Sequence, residues 1–89
     1  MTNLTALIRT ARANREARAL ETYTRTDGKV LVKGESASGY AAADGVEVRV
    51  IPVQPRGMSS KWSHRADVYM GGKRLKTAEV AAILKAEAA

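Results

Sequence analysis

No cysteine occurs among the 89 residues. That excludes a disulfide framework, a thiolate nucleophile and a cysteine-based zinc site, and it fits a reducing cytoplasm. Phenylalanine is also missing, and one Trp and three Tyr are the only aromatic residues apart from a single His. Much of the 45% hydrophobic fraction is alanine, which brings little buried area per residue. A chain of this size buries only about 60–65% of its unfolded surface. Modest stability is therefore expected, supplemented by self-association or by a larger partner. No stretch approaches the roughly 20 apolar residues that cross a bilayer, so no membrane partner is expected. Met1–Leu20 lacks the basic-then-apolar order of a secretory signal. Its Glu16 and its lack of serine count against a transit peptide, so it reads as mature sequence.

Acidic residues are also scarce. Fifteen basic side chains face nine acidic ones, giving a formal charge of +6 and a pI near 10.1. Such an excess suits a polyanionic partner: a nucleic acid, a nucleoprotein complex or an acidic protein surface.

What is present reads as one α+β domain over residues 1–89: an N-terminal helix, an antiparallel sheet of four to five strands and a C-terminal helix. Thr2–Leu20 is the first helix, capped by Thr2 or Asn3, with Leu4, Leu7, Ile8 and Ala11 on one stripe. Beyond Ala11, Arg15 and Arg18 project from roughly the same direction. Two β-prone runs, Glu21–Thr26 and Lys29–Lys33, flank Asp27-Gly28, which predicts a hairpin with a type I′ turn. A second Asp-Gly pair, Asp44-Gly45, joins a weak strand over Ser38–Ala43 to the clearest strand in the chain, Val46–Val53. There Val46, Val48 and Val50 alternate with Glu47, Arg49 and Ile51, so one face is buried. Pro52 has no N–H for a ladder, so the strand ends there or runs along a sheet edge. Gln54–Ser60 is loop by composition. Lys61–Met70 is the next strand, with Trp62, His64, Ala66, Val68 and Met70 on one face and Ser63, Arg65, Asp67 and Tyr69 on the other. Gly71-Gly72 turns the chain, Lys73-Arg74-Leu75 pairs back briefly, and Thr77 caps a helix burying Val80, Ile83 and Leu84. The helices should cover one face of the sheet and leave the other open.

No constellation for catalysis is legible. His64 is the only histidine; it alternates in register with core residues, and Asp67 points to the opposite face. Paired carboxylates, a P-loop and a Gly-x-Gly-x-x-Gly turn are all missing. No enzyme activity, cofactor or metal is expected. What remains is cationic charge in three clusters. Arg9, Arg12, Arg15 and Arg18 recur every third residue and drift about 60° per step around the helix, forming a collar. Arg56 and Lys61 lead into Arg65 and Tyr69, and Lys73, Arg74 and Lys76 follow the strand. Arg49, Arg65 and Tyr69 should share the open sheet face. These residues are expected to contact phosphates, with little base specificity because no element is built to enter a groove. The rival expectation is a small phage-like accessory protein, an inhibitor or adaptor that docks on a protein through Met58, Trp62 and His64.

Overall fold

The computed structural model describes residues 3–57 and 61–89. Met58, assigned above to protein docking, lies outside the described residues. Helix α1 spans Leu4–Ala19. Strands β1 (Thr22–Thr24) and β2 (Val30–Val32) precede a short 3₁₀ turn, Gly34–Ser36; β3 (Gly39–Ala43), β4 (Val46–Val53), β5 (Ser63–Met70), β6 (Lys73–Arg74) and α2 (Thr77–Ala88) follow. The strands form two antiparallel sheets, a β1–β2 pair and a four-stranded sheet ordered β3-β4-β5-β6.

The alternation in β4 and β5 builds the larger sheet. Val48 pairs with Val68 and Ala41, and Val50 pairs with Ala66 and Gly39, so small and β-branched side chains fill one face. Val48 and Val50 are 0% exposed, and Leu4, Leu7 and Ala11 of α1 close over them. Each fully buried Val or Leu contributes about 1.5–3 kcal/mol relative to exposure. Val80, Ile83 and Leu84 of α2 pack against the same core, so both helices cover one face and leave the other open. β3 pairs with β4 only as far as Gly39–Val50. Pro52, paired with His64 on β5, thus lies where β4 has a single neighbour, and its missing N–H interrupts no ladder.

Gly39 fixes how closely α1 approaches. A Cβ built there would meet the Ala11 carbonyl oxygen at 2.2 Å and the Arg15 Cβ at 2.7 Å. Only glycine lets the helix lie on the first residue of β3.

One turn and a cap differ from the sequence expectation. The Asp44-Gly45 turn does take positive φ at both residues (50° and 78°), as type I′ requires. At Asp27-Gly28 only Gly28 is left-handed (φ 85°). Gly28 N–H donates to the Arg25 carbonyl and Arg25 N–H to the Lys29 carbonyl, closing a three-residue loop, and Asp27 Oδ1 accepts from the Lys29 amide instead of entering the left-handed region. Helix α2 is capped at Lys76 and not at Thr77: Lys76 has extended backbone, and its N–H donates to Glu79 Oε1 at 3.0 Å.

The β1–β2 hairpin stands apart from the larger sheet. Every residue from Leu20 to Val30 is exposed. The radius of gyration is 15.4 Å and the long axis 50 Å, against about 12 Å of radius for a compact chain of this length. The hairpin is an arm. Among the described residues no helix is long and apolar enough to cross a membrane.

Candidate nucleic-acid interface

The three cationic clusters divide between the two faces of the sheet and do not meet on one surface. On the helix side, the core stripe of α1 runs through Leu4, Leu7 and Ala11 and continues into half-buried Arg15. Arg9 and Arg12 lie on its exposed flank. Arg12 Nη1 donates to the His64 carbonyl at 3.3 Å, bridging to the start of β5. Arg18 Nη1 donates to Ser38 Oγ at 3.4 Å. Arg15 Nη1 is shielded from solvent without a hydrogen-bond partner in the protein. A charged donor left so is costly, and an anionic oxygen would satisfy it. Among the described residues none of these four guanidinium groups stands within ion-pair distance of a carboxylate.

The open face of the sheet is organised differently. Register places Tyr40, Arg49, Asp67 and Glu47, Tyr69, Arg74 in two rows across the strands, with Arg65 beside Ile51. The arginines here are matched to acids. Asp67 is only 6% exposed, and it accepts from Arg65 Nε at 3.2 Å and from Arg74 Nη2 at 3.3 Å. Arg49 pairs with Glu47 at 3.1 Å and lies over the Tyr69 ring, 4.4 Å from its centroid. Three cations thus share the face with two anions. Burial of Asp67 is tolerable because two guanidinium groups cover it while keeping their own far sides in water.

The other sequence-chosen residues flank these two surfaces. Arg56 and Arg65 line one open depression with Ile51, Pro52 and Val53. Lys61 is exposed ahead of β5, Lys73 is exposed in β6, and Lys76 sits at the α2 cap. Trp62 and His64 are half-buried. His64 Nε2 lies 2.9 Å from the Glu35 carbonyl oxygen and 3.9 Å from Glu35 Oε2, with the side chain 14% exposed. It is a tethered residue at the margin of the core. Among the described residues no three His, Cys, Asp or Glu side chains gather as metal ligands.

One member of the open face, Tyr40, fell outside the residues expected from sequence on that face. Strand parity could have found it. Once the Asp44-Gly45 turn is accepted, Tyr40 falls opposite Arg49, on the face that the valines leave open.

Compared with protein-family models, with curated proteins and with solved structures, the chain matches none.

Proposed function

We propose that this protein is a non-enzymatic, cytoplasmic nucleic-acid-binding module that tracks a phosphate backbone with the arginine collar of α1. The observation carrying this reading is that Arg9, Arg12, Arg15 and Arg18 have no carboxylate within ion-pair distance among the described residues, Arg18 feeling Glu21 only at longer range, although most of the molecule's other arginines are paired. Unpaired guanidinium groups are the ones that release counterions when they meet phosphates. From Arg9 to Arg18 the collar covers about 13.5 Å of helix, comparable with four nucleotide rises of 3.4 Å. Arg56, Lys61, Lys73 and Lys76 add to the positive field, which speeds encounter more than it selects sequence. Arg65 and Arg74, already satisfied by Asp67, contribute less.

The test is a binding titration of a labelled oligonucleotide followed by fluorescence anisotropy. Affinity should fall by orders of magnitude between about 50 and 200 mM salt. Binding should be weakened by Arg9→Ala/Arg12→Ala, which removes two exposed side chains and no core contact. A flat affinity across that salt range rejects the reading.

A second reading, the protein-binding inhibitor or adaptor of phage type, is favoured by the make-up of the open sheet face. Two tyrosines, three arginines and Ile51 with internally satisfied charges resemble the residues that dominate protein interfaces. A partner captured from nuclease-treated lysate, retained at high salt and lost on Tyr69→Ala, would favour it over the first.

A further inference from the structure

The arm carries an unpaired strand edge whose charge pattern is complementary to itself. Arg25 N–H bonds to the Lys29 carbonyl at 2.8 Å and Lys33 N–H to the Glu21 carbonyl at 2.9 Å. Residues 21, 23 and 25 therefore direct their backbone groups toward β2, while Thr22 and Thr24 direct theirs away, along the free edge of β1. An isolated two-stranded hairpin is marginal in water and gains from further strands. This one also exposes Val30 (64%) and Val32 (54%).

We propose that the β1 edge pairs antiparallel with the β1 edge of a second copy of this chain, about a two-fold axis through Tyr23. In that register Thr22 and the partner's Thr24 form a hydrogen-bonded pair, and so does the reciprocal pair. Tyr23 faces the partner's Tyr23 across a non-hydrogen-bonded site, where side chains approach most closely. Glu21 stands opposite the partner's Arg25, and Arg25 opposite the partner's Glu21. Backbone donors, aromatic rings and charges all agree on one register. The result is a continuous four-stranded sheet across a two-fold axis, which limits the assembly to two copies.

The other edge does not offer this. On β2 the free groups belong to Val30 and Val32, and the matching register, centred on Leu31, sets Lys29 against the partner's Lys33. Flanking lysines of this kind guard an edge against pairing. The asymmetry between the two edges of one hairpin selects β1, and it selects a second copy because Glu21 and Arg25, paired within their own chain with Lys33 and Asp27, each meet the opposite charge across the axis as well.

Sedimentation velocity of the full chain over a dilution series tests this. The mass should rise with concentration from 9.6 kDa toward twice that value. Arg25→Glu sets carboxylate against carboxylate at both ends of the pairing and should weaken association about tenfold or more. Glu21→Arg should do the same by setting guanidinium against guanidinium. An equimolar mixture of the two variants should associate again, because each supplies the charge that the other now needs. Lys29→Glu, on the guarded edge, should leave the β1 pairing intact. Circular dichroism on each variant establishes that the body stays folded. A single-chain mass at every concentration overturns the proposal, as does an Arg25→Glu variant that associates as strongly as the unmodified chain.

Discussion

The carboxylate of Glu87 accepts hydrogen bonds from both the backbone N–H and the hydroxyl of Thr5, each at 2.7 Å. Its second oxygen accepts from Leu4 N–H at 2.7 Å. With Asn3 Oδ1 accepting from Ala6 N–H at 2.9 Å, the first three amides of α1 all have partners, which a helix cannot provide for itself. Glu87 occupies the last turn of α2, the unfavourable end of its own helix dipole, and is rewarded at the positive end of α1. One side chain thus joins the beginning of the described chain to its final helix.

These hydrogen bonds, with Thr5 the larger source and Leu4 the smaller, hold the Glu87 carboxyl below its ordinary pKa. A depressed folded-state value means that the contact stabilises above the unfolded carboxyl's pKa and fades as pH falls through the lower folded one. Glu87→Gln should therefore lower the melting temperature near neutral pH. The difference from the unmodified chain should shrink steadily in acid until the two curves meet. Glu21, held low by its hydrogen bond to Lys33, adds acid sensitivity to both proteins and cancels in the comparison. Thermal melts at stepped pH check this; a gap independent of pH would mean that the carboxylate's charge is irrelevant there.

Gly39→Ala should destabilise by about 1–3 kcal/mol, the usual cost of forcing a methyl into a packed contact. The atom it meets first is the Ala11 carbonyl oxygen, which belongs to helix backbone and cannot swing aside. Urea unfolding should show a lower midpoint with an unchanged slope.

Asp67→Ala should cost about 1–3 kcal/mol, because it strips Arg65 and Arg74 of the anion that organises them. The loss stays moderate since both guanidinium groups are more than half exposed and can rehydrate. The variant also frees positive charge on the open sheet face. If the α1 collar is the phosphate surface, nucleic-acid affinity at moderate salt should change far less than it does for Arg9→Ala/Arg12→Ala. Titrations of both variants side by side would show it.

The body of the fold was readable from local pattern. Period-two alternation in Val46–Val53 and Lys61–Met70 placed both central strands and assigned Val48, Val50 and Val68 inward, as observed. The same parity put Arg49, Arg65 and Tyr69 on the open face. Helical spacing set Arg15 and Arg18 in roughly the direction of the Leu4–Ala11 stripe; Arg15 is half-buried there and Arg18 is exposed. The remainder depended on contacts distant in sequence. No periodicity in Glu21–Lys33 says that its hairpin pairs with no other strand. Parity names the face of Asp67 but not that two guanidinium groups would cover it. The Asp27-Gly28 turn went astray because Asp27 had a local use for its carboxylate, accepting the Lys29 amide. Glu87 carried a faint signal, an acid in a helix's last turn, whose explanation lies more than 80 residues away.

The most direct test is the slope of log affinity against log salt for a single-stranded oligonucleotide, measured on three proteins: the unmodified chain, Arg9→Ala/Arg12→Ala and Arg65→Ala/Arg74→Ala. Each phosphate contact contributes about 0.7 to that slope on a single strand. The first pair of substitutions should make it shallower by about 1.4, while the second pair leaves it nearly unchanged. An equal slope for the unmodified chain and Arg9→Ala/Arg12→Ala, or a loss confined to Arg65→Ala/Arg74→Ala, would contradict a phosphate surface on α1.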